Sequence, residues 1–155
     1  LTPQSANLSP ASATATPLTS LRVLVVEGNA VLRDFIVGLL HRCGIKDVRG
    51  AMDGTEAWRR LREGWNTVPE LVIGALHEER TDGLLLANKL RLDKTLKDEH
   101  IPVVLLAAEE DPMLLDVAEQ LGVKRVLSLP VSKLDLIQAI GQAIGFEVAE
   151  MGVER

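Results

Sequence analysis

The apolar positions of this chain fall into two kinds of run, and the two kinds alternate. Val23-Leu24-Val25-Val26 is a short continuous run that stops at Glu27-Gly28-Asn29. Such a run suits a parallel strand covered on both faces. Beyond it, Leu32, Phe35, Ile36, Leu39, Leu40 and Cys43 recur at helical spacing and predict a helix with one buried stripe. Gly44 ends that helix, as a left-handed terminating residue does. Residues 45–49 predict a second strand. Asp53-Gly54-Thr55-Glu56 predicts a helix start, with Asp53 as N-cap, Glu56 reaching back, and Ala57, Trp58 and Leu61 facing inward. Leu71-Val72-Ile73 predicts a third strand, and the loop 75–82 leads to a helix from about residue 83. Residues 101–106 predict a fourth strand. Asp111-Pro112 opens a fourth helix, with proline in the first turn where a missing N–H costs nothing, and with Met113, Leu114, Val117, Ala118 and Leu121 inward. Residues 125–128 predict a fifth strand, closed by Leu129-Pro130. Ser132 caps a last helix whose core face is Leu136, Ile137, Ile140 and Ile144.

Five strand–helix repeats predict an α/β fold with a parallel sheet, helices on both faces and right-handed crossovers. The matching architecture is flavodoxin-like, a doubly wound (βα)5 fold with strand order 2-1-3-4-5. Ligands and chemistry in such sheets sit at the carboxyl ends of the strands, so residues 27–29, 74–77, 107–109 and 129 are the ones to inspect. The end of the third strand holds Ala75, which has no reactive group.

Composition narrows the picture. A chain of 155 residues suits one domain, and 46% hydrophobic content excludes disorder throughout. Residues 1–20 carry no charge and are rich in Ser, Thr, Ala and Pro, so they read as a flexible leader or linker. The folded domain is assigned to 21–145, and 146–155 to a C-terminal tail. Aromatic residues make up 3% and the net charge is −5, which argues against base stacking or a basic nucleic-acid surface. The Arg59-Arg60-Leu61-Arg62 run reads as the solvated face of a helix. A lone cysteine, Cys43, indicates a reducing compartment, and no apolar run reaches membrane-spanning length.

Several segments, in order and spacing, resemble the receiver domains of two-component response regulators over about residues 21–145. They are LRVLVVEGNAVLRDFIVGLL, AMDGTEAWRRL, PELVIGALHEERTDGLLL, IPVVLLAA and LSLPVSKLDLIQAI. The resemblance implies phosphoryl transfer from a histidine kinase to an aspartate at the end of the third strand. It also implies an acidic pair that holds Mg²⁺, and a Thr or Ser and a Lys that neutralise the phosphoryl oxygens. At those positions this chain has Glu27-Gly28 for the acidic pair, Ala75 for the acceptor, Ala107 for the hydroxyl and Leu129 for the lysine. The aromatic position that reorients with phosphorylation in the family is Val126. Alanine offers no nucleophile, and one carboxylate is too few for an ion that gives up its water reluctantly. A proline equivalent to Pro130 usually follows a cis bond in the family, so a cis Leu129–Pro130 bond is expected.

These replacements predict a pseudo-receiver: a phosphorylation-independent module acting through protein–protein interaction in a bacterial two-component-type regulatory system. The expected partner is a signalling kinase, an output domain or a second copy, with no nucleic acid, membrane, cofactor, metal or enzymatic activity, in the cytoplasm. By resemblance, the surface of the fourth helix, fifth strand and fifth helix is the partner face, near Leu115, Lys124 and Arg125. Two alternatives stand. One is an active response regulator with a shifted acceptor, Glu27 or Asp82. The other is a flavodoxin-like small-molecule binder, for which EGNA after the first strand lacks the expected phosphate loop. Glu27 reads as a solvated carboxylate or helix cap, with weak cation binding as its competing role. His77, Glu78 and Glu79 are adjacent loop residues without a second half of a ligand set. His41 reads as surface and His100 as lying at the far end of the sheet. Leu85 and Leu115 fall off the buried stripes.

Overall fold

A computed structural model describes residues 18–63, 68–76, 82–94, 100–109 and 111–145. Five strands form one sheet: β1 (Arg22–Val26), β2 (Asp47–Ala51), β3 (Leu71–Leu76), β4 (Val103–Ala107) and β5 (Arg125–Ser128). Five helices connect and follow them: α1 (Ala30–Arg42), α2 (Gly54–Glu63), α3 (Asp82–Leu92), α4 (Pro112–Gln120) and α5 (Lys133–Ile144). Every strand pair is parallel and the order is β2-β1-β3-β4-β5, the predicted one.

The strands are continuous apolar runs because both faces are covered. Val23, Val25, Leu71, Ile73, Val104 and Leu106 point to one core, where Ile36 and Leu40 of α1 meet Leu136 and Ile140 of α5. Leu24, Val26, Val72, Leu76, Val103 and Leu105 point to the other, covered by Ala57 and Leu61 of α2, Leu84 and Ala87 of α3, and Ala118 of α4. Alternate residues of one strand thus serve opposite layers, as the period of two requires.

The helix ends are built as their residues suggest. Asp53 Oδ1 accepts the Glu56 N–H at 2.8 Å, and Glu56 Oε1 accepts the Met52 N–H at 2.7 Å. Asp111 Oδ1 accepts the Met113 N–H, and Ser132 Oγ accepts the Asp135 N–H, both at 3.0 Å. Gly44 takes φ +99° just past α1, a conformation that carries no Cβ penalty for glycine.

Three packing expectations are corrected. Phe35 and Met113, assigned to buried stripes, are 45% and 72% exposed. Each lies at the edge of its stripe, and the sheet is covered without it. Arg60, read as part of a solvated face, is half-buried and pairs with Glu56 at 3.5 Å. Ordered packing also starts before Leu21: Leu18–Ser20 form a 3-10 turn, and Leu18 rests on the α1/α5 core.

Candidate functional site

The parallel register brings the inspected positions together at the carboxyl edge of the sheet. Val26 lies opposite Gly74, Ala75 opposite Leu106, and Leu76 opposite Ala107. Glu27 follows β1 and its N–H donates to the Ala51 carbonyl at 3.0 Å. Leu129 follows β5 and its N–H donates to the Ala107 carbonyl at 2.8 Å. The Leu129–Pro130 bond is cis, as expected. Glu27, Gly28, Ala75, Ala107 and Leu129 therefore gather on adjacent strand ends, although they span a hundred residues of sequence.

The gathered side chains have little polar chemistry. Ala75 is 5% exposed and Ala107 4% exposed, and Leu129 packs on the α1/α5 core. Glu27 is the one ionisable side chain among these five, and it is 2% exposed. Its reading as a solvated carboxylate or cap of α1 is overturned. Its Oε2 accepts the Asn29 N–H at 2.8 Å, while Asn29 is the N-cap, with Oδ1 accepting the Leu32 N–H at 2.9 Å. Burial is tolerated because the carboxylate is hydrogen-bonded. Arg33, one turn into α1, donates from Nη1 to the Glu27 carbonyl at 2.7 Å. Its stem lies over Gly50 of β2, where a Cβ would sit 3.1 Å from Arg33 Cδ. The sequence places Asn29 among the positions to inspect but offers the cap to Glu27 instead, and it does not single out Arg33. Asn29 had a signal, a capping residue type just before a helical stripe. Arg33 had none, because its role depends on β2 passing beneath α1.

The divalent cation that the receiver resemblance implies needs several hard oxygen ligands. Here Glu27 supplies one carboxylate, already engaged with the Asn29 N–H, and Gly28 and Ala75 have no side-chain oxygen. Among the described residues no group of three His, Cys, Asp or Glu gathers as a metal set. This donor set does not fit Mg²⁺. His77, Glu78 and Glu79 lie outside the described residues.

The remaining candidate positions do not form one site. Val126 is half-buried against the α2–α4 layer. Leu115, 36% exposed, sits near the start of α4 and thus towards the carboxyl edge. Lys124 and Arg125 are exposed at the opposite edge, where β5 begins. Arg125 Nη1 donates to Gln142 Oε1 of α5, which ties that end of the face together. His41 is exposed, with Nδ1 2.9 Å from the Ile45 carbonyl oxygen. Cys43 is buried behind it, and burial pushes its thiol pKa up, against the lowering fields of Lys133 and Arg42.

The architecture and the chain agree with known proteins. The response regulator receiver domain model matches residues 23–141. Chemotaxis protein CheY1 of Helicobacter pylori is 27% identical over 125 residues, spanning 81% of this chain and 98% of that protein. The two-component response regulator-like protein APRR3 of Arabidopsis thaliana is 30% identical over 120 residues, which are 77% of this chain and 23% of that protein. Among solved structures, a response regulator receiver domain protein from Clostridium thermocellum superposes with a TM-score of 0.67 at 25% identity, over 81% of this chain and 94% of that one. With the parallel 2-1-3-4-5 sheet and the gathered strand ends, these matches show that the chain belongs to the response regulator receiver domain family.

Proposed function

We propose that this receiver domain works without phosphorylation, as a pseudo-receiver that signals through protein–protein contacts in a two-component-type system. One observation carries the reading. The strand ends that would hold the acceptor, hydroxyl and lysine present Ala75, Ala107 and Leu129, beside a single buried carboxylate, Glu27. An acyl phosphate needs a carboxylate nucleophile with room for in-line attack and cations to neutralise the incoming charge. Ala75 supplies no nucleophile, and Glu27 at 2% exposure is a poor substitute acceptor.

Receiver domains pass signals through proteins such as kinases and output domains, and the proposed partner is one of these or a second copy. The proposed compartment is the cytoplasm. Among the described residues no helix is long and apolar enough to cross a membrane.

The test is incubation of the full chain with a small phosphodonor and Mg²⁺, followed by intact-mass measurement. The expected result is no added phosphate. A stoichiometric adduct, labile in base, overturns the proposal and returns the reading to an active regulator with acceptor Glu27 or Asp82. A pull-down with the domain is expected to capture a signalling protein by a contact that Mg²⁺ and phosphodonor leave unchanged.

A further inference from the structure

A cavity of about 750 Å³ opens at the amino edge of the sheet, the end opposite Glu27 and Ala75. Its apolar surface comes from Ile101 before β4, Leu121 after α4 and Ile144 at the end of α5, all half-buried, with the fully buried Leu21 and the buried Val103 behind them. The volume falls within the ordinary range for small-molecule sites, which are apolar concavities with a few convergent polar groups.

The polar side chains are mostly basic residues: Arg22, Arg91, His100 and Lys124, with Glu70. Arg22 and Glu70 satisfy one another: their side chains approach to 3.7 Å, and Glu70 Oε1 also accepts the Arg22 backbone N–H at 3.0 Å. Arg91, His100 and Lys124 remain, all exposed and none paired with a carboxylate among the described residues. Arg91 Nη2 donates to the neutral Asn88 at 3.2 Å. The Arg91 stem crosses Gly122, whose Cβ would lie 3.9 Å from Arg91 Cδ, so the guanidinium is carried towards the turn that bears Lys124. His100 stands at the rim with φ +52°, a left-handed conformation that is uncommon outside glycine. Unusual backbone of this kind concentrates at ligand sites.

A purely structural account is that Arg91 and Lys124 offset the partial negative charge of helix C-termini, since α3, α4 and α5 all end here. That explains Arg91, in the last turn of α3. It explains neither His100, which follows no described helix end, nor an apolar surface that the described residues leave open beneath a basic rim. The geometry points to a second binding site at this end, for a small amphipathic anion: one carboxylate on an apolar body. The head group meets Lys124, Arg91 and His100, and the body covers the half-buried Ile101, Leu121 and Ile144. This inference does not rest on the absence of phosphorylation, and Lys124 is shared between this site and the partner face named above.

The test uses the full chain and the fluorescent probe 8-anilinonaphthalene-1-sulfonate, with decanoate and decanol as competitors. The expected result is one saturable probe site, displaced by decanoate at least about tenfold more effectively than by decanol, since a charge-assisted contact contributes that much. Arg91→Gln combined with Lys124→Gln is expected to weaken decanoate by about tenfold or more while the melting curve stays unchanged. If the double variant melts early, Lys124→Gln alone, at an exposed side chain, carries the test. Equal competition by decanol, displacement by inorganic phosphate as readily as by decanoate, or unchanged affinity in the variants each overturns the inference.

Discussion

Glu27 is the residue whose environment differs most from its sequence appearance. A carboxylate next to glycine and asparagine looks solvated, yet it is closed in and accepts a backbone N–H. Glu27→Ala removes that acceptor and is expected to cost about 1–3 kcal/mol in urea unfolding, the penalty for leaving a part-buried donor unmatched. Glu27→Gln keeps an oxygen in place and is expected to cost less. Cys43 supplies a second test at this scale. Burial raises its thiol pKa above 9.0, so the folded state favours the neutral thiol. Its contribution to stability is complete below the unfolded pKa and is lost as pH rises through the folded one. The melting temperature is therefore expected to fall above about pH 9, and Cys43→Ala is expected to flatten that fall. Native Cys43 is also expected to react slowly with thiol reagents at pH 8, and at an ordinary rate in denaturant.

The elements owe their ends to side chains and their positions to each other. The Asp53 cap is local, so Asp53→Ala is expected to cost about 1 kcal/mol, read as a shifted urea midpoint with unchanged slope. Gly83 is different. It opens α3 against β4, and a Cβ there would come within 2.7 Å of Leu105 Cδ2. Leu105 is fully buried and has nowhere to retreat, so Gly83→Ala is expected to destabilise by about 1–3 kcal/mol despite alanine's higher helix propensity. Between α2 and α3, Trp58 lies beneath two cations, Lys89 Nζ at 5.1 Å and the Arg62 guanidinium carbon at 5.8 Å from the ring centre. The helical position of Trp58 predicts an inward-facing side chain; it is half-buried, with a ring that links the two helices. The missed positions at this scale, Phe35 and Met113, were apolar residues flanking a true stripe. Periodicity locates a stripe but does not say how wide the covered zone is, which depends on the neighbouring helix.

For the whole molecule, the proposed loss of phosphotransfer belongs to a set of positions rather than to one. Ala75→Asp returns a carboxylate but leaves Gly28, Ala107 and Leu129 in place. The single variant is therefore expected to stay unmodified by phosphodonor and Mg²⁺ in an intact-mass measurement, because charge neutralisation is missing. Adding Gly28→Asp, Ala107→Thr and Leu129→Lys is the combination in which an adduct is expected. Modification of the Ala75→Asp protein alone would show that the surrounding positions matter less than proposed. The two ends of the sheet also differ in character. The carboxyl end is small and closed at Ala75 and Ala107, whereas the amino end is open and cationic at its rim.

Sequence alone determined the repeating strand–helix order, the capping residues of α2, α4 and α5, the glycine that ends α1, and which chemical groups are missing. These depend on contacts a few residues apart, or on residue identity itself, and both can be read along a chain. Tertiary structure decided the rest. Glu27 is buried because α1, β2 and Asn29 close around it. The amino-edge cavity exists because Leu21, Arg91, His100, Lys124 and Ile144 arrive from five separate stretches of chain. Burial and concavity are properties of elements packed together, and no local pattern encodes which distant surfaces will meet.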